Sequence, residues 1–191
     1  MKNYDGNKST KKNTMKRADA IHNNTALIKT ALELFKKKGP DVPLTEIAKQ
    51  AAVSRMTFYR HFPDKSAMIT AIFVYTLDRL ATYAARLEDN DQAFVKLLDI
   101  LLKKRVEYNL LVPYMEEKDG IPTSDKLFKL FAKPIENAKA SGLLRTDFNG
   151  TSDLLLLIMM MGGSLSNHNI PDCKYTSERT IQLIMEGIIK K

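Results

Sequence analysis

Arg55, Thr57, Tyr59, Arg60, His61 and Lys65 crowd hydrogen-bond donors into one short stretch, with the thioether of Met56 among them. Donors at this density suit phosphate oxygens and base edges. Arg55, Met56 and Thr57 can meet base edges, arginine fitting guanine and threonine a methyl group or a hydrogen bond. Tyr59, His61 and Lys65 can donate to phosphates, which positions a protein on a duplex without reading its sequence. Catalytic chemistry finds no comparable set. His22, His61 and His168 are scattered, and HExxH, paired Cys/His spacing, G-x-S-x-G and P-loop motifs are all absent. Ser166, His168 and Asp172 are near neighbours in the chain, which is not triad geometry, and Cys173 with His168 makes a poor metal site. The sequence therefore predicts no catalytic residue, no metal and no cofactor.

The elements that must hold these donors lie in residues 44–66, LTEIAKQAAVSRMTFYRHFPDKS. Ile47, Ala48 and Ala51 give the first helix one apolar face, with Thr45 placed to cap it and to stand beside the donors. Ala52-Val53-Ser54 makes a turn, and Ser54 caps a second helix through Phe62. Pro63 stops that helix, because a residue before proline is pushed out of helical geometry. Phe58 and Phe62 are i, i+4 partners, of which at least one must pack inward. Asp64 is placed to cap a third helix. Two short helices about a tight turn form a helix-turn-helix, the second shaped for the DNA major groove. The DNA-facing set is then Thr45, Ser54, Arg55, Met56, Thr57, Tyr59, Arg60, His61 and Lys65.

Charge separates this reading from an ordinary helical hairpin. Residues 1–75 hold 14 Lys+Arg against 6 Asp+Glu, while residues 76–191 hold 16 of each. The whole net charge of +8 thus sits on the segment carrying the motif, as nucleic-acid binding requires.

The pattern Thr45-x-Ile47-Ala48-x-x-Ala51-Ala52-Val53-Ser54, then Tyr59-x-His61-Phe62-x-x-Lys65, resembles the DNA-binding domain of the tetracycline-repressor (TetR) family over residues 25–73. Two positions depart from the family pattern. Ala52 stands where glycine is usual, and Met68 where leucine is usual, a volume-conserving swap. The resemblance implies a dimeric transcription regulator, usually a repressor, whose second domain binds a small molecule.

The rest of the chain fits an all-α protein: a three-helix DNA-binding domain followed by a helical ligand-binding and dimerisation bundle. Residues 1–22 read as a disordered basic arm, 23–66 as the helix-turn-helix domain and 67–191 as the bundle. Leu27, Ile28, Ala31, Leu32 and Phe35 predict the first helix, ended by Gly39-Pro40. From Asp64 an apolar stripe runs through Leu87 without Gly or Pro, predicting one long connecting helix able to act as a lever. Phe94, Leu97, Leu98, Leu101 and Leu102 mark the next helix, with Lys103-Lys104-Arg105 as its solvated face. Pro113 marks a bend, 116–123 a loop, and Leu127 to Ala138 a helix that Pro134 would kink, ended at Ser141-Gly142. Thr151-Ser152-Asp153 would cap an all-round apolar run, Leu154 to Met161, and a terminal helix would begin near Ser177.

Apolar residues in excess of what one core can cover predict a homodimer through 151–166 and 177–190, with Gly162-Gly163 permitting close approach or ending the helix. Two copies would set two reading helices on successive major grooves of a pseudo-palindromic double-stranded operator. An apolar small-molecule effector would sit among Phe94, Leu98, Leu101, Tyr108, Val112 and Met115. Phe128, Phe131, Ile135, Leu155, Ile158 and Met159 would complete its lining, although core packing accounts for each of these residues singly. The single cysteine fits a reducing cytoplasm. The basic N-terminus lacks the apolar core of a signal peptide, and eight apolar residues at most run together, too few to cross a membrane. Two further readings stay open: a ligand-binding module of the same fold that does not read DNA, and an enzyme built on it.

Overall fold

A computed structural model describes residues 24–87, 90–115, 124–165 and 173–189, with side chains outside 162–177. The arm at 1–22, the loop at 116–123, His168 and the Cys173 thiol lie outside the described residues. Among them every regular element is helical, and one isolated antiparallel bridge joins Leu144 to Ile189. The chain divides into two compact units between Tyr75 and Thr76.

The first unit begins with α1 (24–38), which buries Leu27, Ile28, Ala31, Leu34 and Phe35. Leu34 takes the place expected for Leu32, which is half-buried. The stripe through Leu27 and Ala31 continues at i+3 and i+4, and Leu32 lies one step round the helix. Gly39 ends α1 with φ +79°, its N–H donating to Phe35 O at 2.9 Å, a left-handed cap.

Helix α2 (Leu44–Gln50) starts two residues earlier than expected. Its N-cap is Pro43, extended at φ −65°, ψ 139°, whose carbonyl accepts from the Glu46 and Ile47 N–H groups. Thr45 is therefore a first-turn residue and caps nothing; proline's fixed φ already suits a helix start. Lys38 Nζ reaches Glu46 Oε1 at 2.6 Å and ties the end of α1 to the start of α2.

The end of α2 is a Schellman turn. Val53 N–H donates to Ala48 O at 3.0 Å and Ala52 N–H to Lys49 O at 3.1 Å. Ala52 pays the conformational cost, at φ +54°. Helix α3 (Arg55–His61) follows, capped by Ser54 Oγ, which accepts from the Thr57 N–H at 3.1 Å. It ends at Phe62, extended ahead of Pro63. Helix α4 (Lys65–Ala85) is capped by Asp64 Oδ1, accepting from Ala67 N–H at 2.7 Å. Met68, Ile69 and Ile72 of α4 are fully buried with Ile47, Ala48, Phe58 and Phe62. Burial of each of these side chains larger than alanine stabilises by about 1.5–3 kcal/mol.

In the second unit α5 (Ala93–Glu107) is central. It packs on α6 (Ser124–Ala140), α7 (Ser152–Leu165), α8 (Cys173–Ile188) and a 3-10 helix, Asn109–Tyr114. Phe94 meets the rings of Phe131 at 6.2 Å and Phe148 at 5.5 Å, both edge-on, at the middle of the core. Helix α6 runs on through Pro134. Helix α7 is capped by Asn149 rather than by 151–153: Asn149 Oδ1 accepts from the Thr151 and Ser152 N–H groups, and Asp153 Oδ2 accepts from the Asn149 N–H. Gly162 and Gly163 lie within α7 and do not end it. Helix α8 starts at Cys173, four residues ahead of the expected Ser177. The basic run on α5 is not uniformly solvated. Lys103 pairs with Asp99 and Lys104 with Glu107. The Arg105 guanidinium is half-buried and donates to Asn109 Oδ1 at 2.8 Å, and burial lowers its pKa from the ordinary value.

Candidate nucleic-acid interface

Helix α3 is held by one face and free on the other. Phe58 is fully buried and Phe62 is 3% exposed, so both aromatics pack inward, their rings 5.6 Å apart. Arg55, Met56, Tyr59 and Arg60 then fall on the opposite face, and all four are exposed. Thr57 and His61 lie half-buried between the faces. A helix of seven residues would not persist alone in water. The aromatic pair and the Ser54 cap are what give its outward side chains fixed positions.

The expected residues do not all play one part. Ser54 Oγ is committed to the helix cap and lies 2.9 Å from Thr57 Oγ1. These two hydroxyls hold the start of α3 together. Lys65 is half-buried, and its ammonium donates to Pro40 O at 2.7 Å. It fastens the first turn of α4 to the α1–α2 loop. Thr45 and Arg55 come together with Pro43, Glu46, Ala48, Lys49 and Val53 around an open groove of about 580 Å³ between α2 and α3. Ser54 as a cap was legible from sequence. The Lys65–Pro40 tether was not, because it joins positions 25 apart.

In the second unit the expected effector set separates. Phe94, Leu98, Tyr108, Phe131 and Ile135 are buried, and Leu101, Val112, Met115, Phe128 and Ile158 are half-buried. Leu155 and Met159 point outward instead, 36% and 61% exposed, on the face of α7 opposite Leu154, Leu157 and Met161. An open groove of about 570 Å³ at the ends of α6 and α8 holds none of the twelve; Leu144, Arg145, Thr146, Asp147, Ile188 and Ile189 line it with two glycines. Arg145 forks onto Asp147 there at 2.6 and 2.7 Å, which holds the Asp147 carboxyl below its ordinary pKa.

The outward face of α7 carries Leu155, Leu156, Met159 and Met160, between 36% and 61% exposed. On α8, Leu183 is 52% exposed while Ile181 and Ile184 face the core. The outer apolar surface therefore belongs chiefly to α7. Gln182 and Glu186, hydrogen-bonded to one another at 2.8 Å, make the exposed side of α8 largely polar. Among the described residues no group of His, Cys, Asp and Glu could hold a metal ion, and no helix is long and apolar enough to cross a membrane.

A helix-turn-helix with an inward aromatic pair and an outward basic face, joined to a second all-helical unit, is an arrangement of helix-turn-helix transcription regulators. Residues 27–72 match the family described as bacterial regulatory proteins, tetR family. Residues 27–72 thus carry the sequence pattern of that family's regulatory proteins. The chain is 29% identical over 105 residues to an HTH-type transcriptional regulator of Staphylococcus aureus (strain MRSA252), covering 52% of this chain and 57% of that protein. The chain spans between 36% and 57% of the length of such curated relatives. The crystal structure of a TetR transcription regulatory protein from Mycobacterium vanbaalenii superimposes with a TM-score of 0.65 at 22% identity, covering 91% of this chain and 99% of that one. A SmeT–triclosan complex shares the fold at TM-score 0.56 and 14% identity, over 89% and 93% of the two chains.

Proposed function

We propose that this protein binds double-stranded DNA in the cytoplasm as a homodimer, at a pseudo-palindromic operator, and acts as a repressor released by a small, largely apolar effector. The observation that carries the proposal is the outward face of α3, where Arg55, Met56, Tyr59 and Arg60 stand together on a helix fixed from behind by Phe58 and Phe62. Arginines supply guanine and phosphate contacts, and Tyr59 and His61 supply phosphate contacts. Ser54, Thr57 and Lys65 hold the frame in which these groups are presented.

The dimer rests on α7. Leu155, Leu156, Met159 and Met160 leave a contiguous apolar strip in water, and a second copy is the simplest partner for a surface that is the same on every molecule. The effector reading rests on the aromatic core around Phe94 and on the fold shared with SmeT, which has been solved with triclosan. A ligand that prefers one spacing of the two reading helices in the dimer shifts the population toward that spacing, by no more than its differential affinity.

Selection of tight binders from a random duplex library, at one fixed salt, tests this reading. Enrichment of an inverted repeat with half-sites about one helical turn apart supports it. Weak, salt-sensitive binding with no enriched motif overturns it in favour of a ligand-binding module that does not read DNA.

A further inference from the structure

We propose that Met56 is a specificity-determining residue that selects thymine through its C5-methyl group, an assignment that rests on the DNA-binding reading above. Met56 is 82% exposed, more than any other large apolar side chain among the described residues. Among the described residues of the first unit the only other exposed member of that class is Tyr59, at 42%, three residues on and on the same face of α3. The helix that carries Met56 is capped at Ser54 and pinned by Phe58 and Phe62, so its backbone position is set while the thioether lies in solvent. Arg55 and Arg60 flank it, and both are exposed.

A thioether donates no hydrogen bond and accepts only weakly. It has nothing to offer the O6, N7, N6 or N4 groups that distinguish guanine, adenine and cytosine. The one apolar group on the floor of the major groove is the C5-methyl of thymine. An unbranched, polarizable side chain adapts to a methyl group at little conformational cost. Arginines on either side bring the helix to the groove, and Met56 then favours thymine at the base pair beneath it.

The test uses the full-length protein and a duplex selected by it from a random library. Each thymine is replaced in turn by deoxyuridine, symmetrically in both half-sites, which removes the methyl and leaves pairing intact. For the wild type, one thymine per half-site should matter, its replacement weakening binding about 4-fold per half-site, the worth of one buried methyl group. Met56→Ala should bind the thymine duplex more weakly and no longer distinguish it from the deoxyuridine duplex. Met56→Leu should keep the distinction. Both variants should melt with the wild type, since the side chain is in water. A Met56→Ala protein that retains the full penalty at every thymine overturns the assignment while leaving the DNA-binding reading in place. So does a wild type indifferent to deoxyuridine at all positions. Failure of the wild type to select any motif overturns both.

Discussion

Replacing Ala52 by glycine should stabilise this protein, and Gly39 supplies the control. Both residues sit just past a helix end in the left-handed region, Ala52 two residues beyond α2 at φ +54° and Gly39 one beyond α1 at φ +79°. An L-residue there costs about 1–2 kcal/mol through the clash of its Cβ with the backbone. Glycine removes the clash but gains freedom in the unfolded chain, which returns about 0.4–1 kcal/mol. Ala52→Gly should therefore gain about 0.5–1 kcal/mol, or about 1–4 °C in Tm. A Cβ built at Gly39 meets nothing within 4 Å. Gly39→Ala thus tests conformation alone and should cost a similar amount. Guanidinium unfolding followed by circular dichroism reads both effects as opposite shifts of the midpoint at unchanged slope. An unchanged or lowered midpoint for Ala52→Gly would show that the Schellman turn does not impose the strain argued here. Equal stability of Gly39→Ala would remove the conformational argument altogether.

Arg55→Ala should weaken binding to a selected duplex by about 1–3 kcal/mol while barely changing binding to random DNA; equal losses on both would assign Arg55 to the phosphates. Lys65→Met should lower the melting temperature, because the Pro40 carbonyl loses its donor. If Lys65 also meets a phosphate, the salt slope of DNA binding should flatten by about one unit, and an unchanged melt would remove the tether. Leu156→Glu with Met160→Glu should leave the fold intact and yield monomers by sedimentation, since both side chains lie in water in the single chain; persistence of a dimer would move the interface off this face of α7.

Much of the reading unit is legible in the sequence because its determinants are local. Ser54 and Asp64 cap the helices that follow them, Pro63 stops α3, and Phe58 with Phe62 at i, i+4 fixes which face turns inward. Local signals mislead where two residues compete for one role. Thr45 has the chemistry of a cap, yet Pro43 begins the helix by its fixed φ. Asn149 caps α7 ahead of the Thr151-Ser152-Asp153 cluster because its carboxamide reaches two N–H groups at once. Contacts between distant positions leave no periodic trace. The Lys65 bond to Pro40, the half-burial of Arg105 and the place of Phe148 beside Phe94 all belong to packing. The effector set illustrates the limit of an all-apolar run. On α7 the pattern LLLLIMMM cannot say which residues face the core, and Leu155 and Met159 face outward while Leu154, Leu157 and Met161 face in. Ala52 shows how a departure from a family pattern becomes physical: the backbone keeps the left-handed turn that glycine would suit, and alanine bears it.

The central claim is that two copies of α3 read one duplex together. Counting protomers on a selected duplex, by mass measurement of the complex at one fixed salt, tests it most directly. Two protomers on an intact inverted repeat, with affinity falling by two orders of magnitude or so when one half-site is scrambled, is the predicted result, since the loss of one half-site removes several base contacts worth about 1–3 kcal/mol each. One protomer per duplex, or equal affinity for the intact and half-scrambled sites, would contradict it.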